Sequence, residues 1–211
     1  MKFRIAFLAL SGVLFSISLA VAQDIYDNGP INGNTDAWTI NSGFVVSDSF
    51  TISGGPTGVG GLDFAAWLEP GDVLQSAEVS ITSSEFGGTT YFDQTVTFVQ
   101  SACALNQSGF NVCIESGNFD GPVLNSGTYW LNLQNATVND GDPVYWDENS
   151  GPSSASQNSV GTVPSESFTL QGCEHCSSST STTSSTPEPT TLMLFGSGLL
   201  GILGTLRRNL F

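Results

Sequence analysis

Between Gln23 and Thr186 this 211-residue chain contains neither lysine nor arginine. All four basic residues, Lys2, Arg4, Arg207 and Arg208, lie at its ends. Of the 19 acidic residues only Glu188 lies outside that stretch, so its body carries 18 carboxylates and no fixed cation. Nucleic-acid binding is thereby excluded, because neutralising phosphates takes Lys and Arg. Anionic lipid surfaces would repel such a body as well. The acidity serves either solubility through self-repulsion or a surface that needs divalent cations to pack or associate. Histidine is almost absent too: His175 is the only one, and it falls outside the strand-rich body. A Ser-His-Asp hydrolase within the body has no support, and Lys-dependent variants are impossible there. What is left for catalysis is a pair of carboxylates of the kind glycosidases use, and no pair stands out in the sequence.

Long apolar runs are confined to the two ends. Lys2 and Arg4 precede an apolar stretch over 5–19 and a small-x-small site at Ala20-Val21-Ala22. That is the three-part secretory signal, with cleavage expected before Gln23. At the other end Pro187-Glu188-Pro189 precedes an apolar run over 192–206, which Arg207 and Arg208 close. Proline cannot continue a helix, so the run starts after it, and the paired arginines stay on the cytoplasmic side of a membrane. The 17 residues from Thr190 to Leu206 span about 25 Å as a helix, short of a roughly 30 Å hydrocarbon core. Such a length suits a transient hold better than a permanent anchor.

The order Pro187-Glu188-Pro189, transmembrane helix, Arg207-Arg208 resembles the PEP-CTERM sorting signal of bacterial envelope proteins. The resemblance implies transient insertion in the inner membrane, then processing near the Pro-Glu-Pro by an exosortase-type enzyme and release to the cell surface or the extracellular matrix. It also implies an organism that makes exopolysaccharide.

No helix of convincing length is predicted in the body. Short apolar runs, several of period two, are separated by Gly, Asn, Asp, Ser and Pro. Strands are expected over 37–40, 44–52, 61–68, 77–82, 91–102, 111–114, 127–133, 143–147 and 165–170. Turn signals punctuate them, including Glu69-Pro70-Gly71-Asp72 and Asp140-Gly141-Asp142-Pro143. The expectation is an all-β, antiparallel β-sandwich or jelly-roll-like single domain over 23–171. A signal peptide over 1–22, a Ser/Thr-rich spacer over 172–186 and the sorting segment over 187–211 complete the chain. Residues 177–186 are all serine or threonine, which cannot bury enough apolar surface to fold.

Segments along most of the body carry a second resemblance. Tyr26-Asp27-Asn28-Gly29-Pro30, Asp36-Ala37-Trp38-Thr39-Ile40, Phe44-Val45-Val46-Ser47-Asp48-Ser49-Phe50, Gly127-Thr128-Tyr129-Trp130-Leu131-Asn132-Leu133-Gln134-Asn135-Ala136 and Gly141-Asp142-Pro143-Val144-Tyr145-Trp146-Asp147-Glu148 resemble "choice-of-anchor" domains. Those are β-rich exported modules with no agreed activity, so the resemblance supplies no catalytic residues.

Four cysteines outside the cytosol are expected to be oxidised. Cys103 and Cys113 flank a turn between two strand-like runs, which suits a cross-strand bridge. Cys173-Glu174-His175-Cys176 has the spacing of a zinc or redox motif, but a fourth ligand is lacking, and a local Cys173–Cys176 disulfide is the better expectation. The densest acidic segment offers Asp140, Asp142, Asp147 and Glu148 as oxygen ligands for calcium. The same residues also serve as Asx-turns bracketing a strand. Trp130, Tyr145 and Trp146 could stack on sugar rings, or fill the core. Three functions follow: a non-catalytic surface or exopolysaccharide-associated matrix protein, a carbohydrate-binding module, or a secreted hydrolase with paired carboxylates.

Overall fold

A computed structural model describes residues 23–173 and Cys176. The signal peptide, the Ser/Thr spacer from Ser177 and the sorting residues Pro187, Glu188, Pro189, Arg207 and Arg208 lie outside the described residues. The alternating segments of the body become strands: β1 (Asp24–Asp27), β2 (Ala37–Thr39), β3 (Val45–Ile52), β4 (Thr57–Leu68), β5 (Ser76–Ser84), β6 (Gly87–Thr97) and β7 (Val99–Leu105). They continue with β8 (Asn111–Asn118), β9 (Val123–Leu124), β10 (Gly127–Thr137), β11 (Tyr145–Asp147), β12 (Ala155–Gln157), β13 (Gly161–Val163) and β14 (Phe168–Gly172). Among the described residues there is no helix. The all-β, sandwich-like expectation holds.

The strands form two antiparallel sheets. One has the order β13-β12-β3-β10-β5-β6, the other β1-β14-β4-β11-β2 with β8, β7 and β9 joined through β4. Strand β4 organises the second sheet. One edge takes β14 and then β11, and the other takes β8 over Gly61–Leu68. Period-two alternation decides what faces inward. Leu62, Phe64, Ala66 and Leu68 of β4 meet Val79 and Ile81 of β5 and Leu131 and Leu133 of β10 in one buried cluster. Each such fully buried side chain contributes about 1.5–3 kcal/mol by leaving water. The opposite face of β4 is covered as well, where Ala65 and Trp67 pack with Val112, Phe110 and Tyr145.

The run expected as one strand over 91–102 is two. Phe98 interrupts it, with its backbone N–H donating to Gln75 O at 3.2 Å and its ring edge-on to Phe64 at 5.2 Å. Strand β6 lies in the six-stranded sheet and β7 in the eight-stranded one, so the chain changes sheets there while its apolar alternation continues.

Both disulfides form. Cys113 lies in the core and is bridged to the exposed Cys103. Cys103 sits in a bulge of β7 where the register shifts between Ser101 and Ala104, with Ala102 at φ 43°. Cys173 is bridged to Cys176, and neither belongs to a free spacer. The Cys173 N–H donates to Gly58 O at 3.2 Å, and the side chain lies over Gly60. A Cβ at Gly60 would stand 2.5 Å from that of Cys173, so glycine permits the close approach. The folded body therefore extends two residues past 171.

Candidate functional site

The outer face of the six-stranded sheet is built from polar residues in register. Asp93, Ser80, Asn132, Ser47 and Ser156 stand directly opposite one another on β6, β5, β10, β3 and β12. The neighbouring row holds Trp130, flanked by Thr82 and Ser49, and the row on the other side pairs Gln134 with Glu78. These are the odd partners of the alternation that turns Tyr129, Leu131 and Leu133 into the core. A cleft of about 360 Å³ opens on this face, lined by Asn132, Gln134, Asp93, Asn158, Thr82 and the exposed Phe86 among others.

The cleft residues are partly pre-oriented. Asn132 Nδ2 donates to Thr82 Oγ1 at 3.0 Å and to Ser80 Oγ at 3.2 Å, while its buried Oδ1 has no donor. The Ser47 hydroxyl, directly across from it, is likewise buried without a partner. Gln134 Nε2 donates to Glu78 Oε1 at 2.6 Å, which fixes the amide plane. Fixed amides and hydroxyls beside aromatic surface make a site that accepts hydroxyl-rich ligands.

A second polar assembly is enclosed at one end of the sandwich. Asp48 occupies an inward position of β3, in the row Val46-Asp48-Phe50-Ile52, and is fully buried. Its Oδ2 accepts from Asn28 Nδ2 at 3.0 Å and from the Glu166 N–H at 2.7 Å. Asn28 also donates to the Glu166 carbonyl at 2.7 Å and accepts from Tyr26 OH at 2.8 Å. Neither Glu166 carboxylate oxygen has a donor. Burial holds Glu166 well above the usual carboxylate range, and the charges of Asp48, Glu148, Asp147 and Asp36 add to it. Burial also pushes Asp48 up to about 6, against hydrogen bonds that favour its anion. Tyr26 is raised to about 12 by burial and then by the charges of Asp48 and Asp27. Two interior carboxyls stand together here, and three clefts of about 190 to 360 Å³ elsewhere on the body are not lined by them.

The four residues expected as calcium ligands do not converge. Both Asp147 oxygens are engaged inside this assembly, accepting from Gly33 N–H and Trp67 Nε1 at 2.7 Å and from Asn32 N–H at 2.8 Å. Glu148 accepts from Trp38 Nε1 at 3.0 Å. Asp140 and Asp142 instead gather with Asp72, one carboxylate oxygen of each lying within 4.8 Å of the others. Sequence reasoning missed Asp72 because a distant turn supplies it; the Glu69-Pro70-Gly71-Asp72 turn was its only local signal. The three aromatic residues separate as well. Trp146 is fully buried, its Nε1 donating to Ser167 O at 2.9 Å, and Tyr145 packs edge-on against Phe110 at 5.5 Å. Only Trp130 lies on the polar outer face.

Residues 185–208 match the PEP-CTERM protein-sorting motif. That segment holds Pro187-Glu188-Pro189 and Arg207-Arg208, and it marks the chain as an exported, surface-directed protein sorted by exosortase. No curated protein matches the chain.

Proposed function

We propose that this chain is an exported, exosortase-processed protein of the cell surface or extracellular matrix, with no catalytic role, and that its β domain associates with exopolysaccharide. The sorting motif at 185–208 carries the reading. The signal-like amino terminus, the Ser/Thr spacer, transient insertion of the apolar tail in the inner membrane, and the resemblance of the body to choice-of-anchor domains fit the same route. Mass spectrometry of the envelope fraction tests it. The surface-exposed form should begin near Gln23 and lack 192–211, and an intact apolar tail on that form would overturn the processing step.

The alternative of a carbohydrate-binding module is favoured by one observation, the polar cleft lined by Phe86 and by in-register amides and hydroxyls, on the sheet face that also carries Trp130. Without a cation in the body, uronate or sulfated polymers would be repelled, so the matching ligand is a neutral polysaccharide. Affinity electrophoresis in neutral and in acidic polysaccharide gels should show retardation in the neutral gel only, lost in Phe86→Ala, whose ring lines the cleft. Equal mobility in both would remove this reading and leave the sorting route untouched. The hydrolase reading draws on Asp48 and Glu166, but those carboxyls face the interior rather than a cleft a polymer could enter.

A further inference from the structure

The chain crosses between the two sheets side by side at the turn between β4 and β5 and at the turn between β10 and β11. The crossings are already tied by backbone and amide contacts. Gln75 N–H donates to Thr137 O at 2.8 Å, and Val73 N–H to Asn139 Oδ1 at 3.1 Å. Each turn also closes on itself. Asp72 N–H donates to Glu69 O at 3.0 Å, and Asp142 N–H to Asp140 Oδ1 at 3.3 Å. The turns hold one carboxylate oxygen each of Asp72, Asp140 and Asp142 within 4.8 Å of one another. Asp72 is only 5% exposed, and its buried Oδ2 has no hydrogen-bond donor. The covering is shallow, made by the two turns, and it leaves Asp140 open to solvent.

Three carboxylates so close repel one another, and burial together with the charges of Asp140 and Asp142 raises the Asp72 pKa. Elsewhere a lysine or arginine would answer such a cluster. Between Gln23 and Thr186 there is none, so the counter-charge comes from solution. We propose that Asp72, Asp140 and Asp142 form a divalent-cation site of the calcium class that staples the two inter-sheet crossings. Hard carboxylate oxygens from two separate turns suit calcium, which tolerates irregular oxygen coordination. Magnesium demands near-octahedral geometry and gives up its waters reluctantly. An exposed three-carboxylate site falls in the range of extracellular modules, with Kd of about 10⁻⁴ to 10⁻³ M. The site is independent of the sorting motif and lies apart from the polar cleft residues.

The test is calorimetric titration of the full-length, detergent-solubilised protein, freed of metal with a chelator, using calcium chloride alone. Thermal melting in calcium chloride, magnesium chloride and ionic-strength-matched sodium chloride accompanies it. One calcium per chain is expected, with a melting shift beyond that of matched sodium chloride and of magnesium. Asp72→Asn removes a charged oxygen ligand and should weaken binding about tenfold or more, with a smaller calcium-dependent melting shift to match. Asp140→Asn, at an exposed position and keeping a side-chain oxygen that can accept from Asp142 N–H, should weaken it as well, whereas Asp63→Asn on β4 should not. Equal melting shifts at matched ionic strength, or calcium binding undiminished in both Asp72→Asn and Asp140→Asn, would overturn the site.

Discussion

The Glu166 backbone N–H donates to Asp48 Oδ2 at 2.7 Å, while the Glu166 carboxyl itself, fully buried, meets no donor. One residue thus satisfies its neighbour's anion and carries its own acid group into the same low-dielectric interior. In a chain with basic residues such a pair invites an arginine. Here the interior can be relieved only by a proton, and that determines how stability responds to pH.

Asp48, Glu166 and Asp147 are all raised in the fold, chiefly by burial. The folded state therefore binds more protons than the unfolded chain over the intervening range, and stability falls as pH rises through it. For Asp48 the window runs from the model-peptide value of 3.8 to about 6. Melting temperature should be higher near pH 5 than at pH 8, the reverse of ordinary acid denaturation. A melting temperature that climbs steadily from pH 5 to pH 8 would contradict the buried-acid account.

Glu115 gives the same effect in isolation. It faces inward from β8 in the row of Cys113 and Gly117, with both oxygens lacking partners, and burial alone raises it to about 8. Below the unfolded value of 4.5 it carries no penalty. Between 4.5 and 8 the penalty grows by about 1.4 kcal/mol per pH unit and reaches roughly 3 kcal/mol at pH 7. Glu115→Gln should gain about 1–3 kcal/mol at pH 7, and the gain should vanish by pH 4.5, as urea melts at the two pH values would show. A variant destabilised equally at both would place the effect in packing instead.

Much of this fold was legible because the core is made by alternation. Thr128-Tyr129-Trp130-Leu131-Asn132-Leu133 announces β10, and the strands over 45–52 and 61–68 follow the same rule. The misses have physical causes. Strands β12 and β13 are three residues each and add only Ala155 and Val163 to the apolar side, paired with each other beside Ser156–Thr162, too short for a period-two signal to show. The Phe98 crossing keeps the period and hides the change of sheet. Asp48 went unnoticed, because only the facing of β3 shows that it interrupts the inward apolar row Val46, Phe50 and Ile52. Asp72 had no mark either, because its partners come from a turn 68 residues on. The polar cleft was not legible, because its lining, Asn132, Gln134, Asp93 and Asn158 among others, is brought together by register between strands.

The Cys103–Cys113 bridge closes a loop with a sequence separation of 10. Constraining so short a loop contributes about 2–3 kcal/mol through the unfolded state. The Cys103→Ala/Cys113→Ala double variant should lose that amount in denaturant melts, and non-reducing peptide maps of the exported protein should show the bridge. Free thiols at both positions, or a link from Cys103 to Cys173 or Cys176, would contradict the pairing.

Asn28 joins three separate segments to β3. Its side-chain Nδ2, with two hydrogens to give, lies 3.0 Å from Asp48 Oδ2, 2.7 Å from Glu166 O, 2.8 Å from Ser165 Oγ and 2.7 Å from Ser153 Oγ and shares its donors among them, and its backbone carbonyl accepts from Asn149 Nδ2 at 2.9 Å. Asn28→Ala would remove the donors while leaving the acceptors buried, and each buried polar group left unpaired costs about 1–3 kcal/mol. A loss of about 2–4 kcal/mol is expected, smaller near pH 5, where protonation removes the charge of the orphaned Asp48. A loss identical at pH 5 and pH 8 would show that Asp48 is not the group left stranded.

Salt separates this interior chemistry from the surface. Exposed carboxylates such as Asp93 and Asp140 repel across distances comparable to the Debye length, about 10 Å at 0.1 M salt. No lysine or arginine from Gln23 to Thr186 offsets them. Compaction brings these charges closer than they lie in the unfolded chain, so screening favours the fold. Raising sodium chloride from about 10 mM to 500 mM at pH 7, which shortens the screening length several-fold, should therefore raise the melting temperature. The pH slope set by Asp48, Glu115 and Glu166 should survive in high salt, because buried groups are screened far less. A slope abolished by salt would mean that the pH response belongs to the surface charges, and a melting temperature indifferent to salt would mean that surface repulsion does not limit this fold.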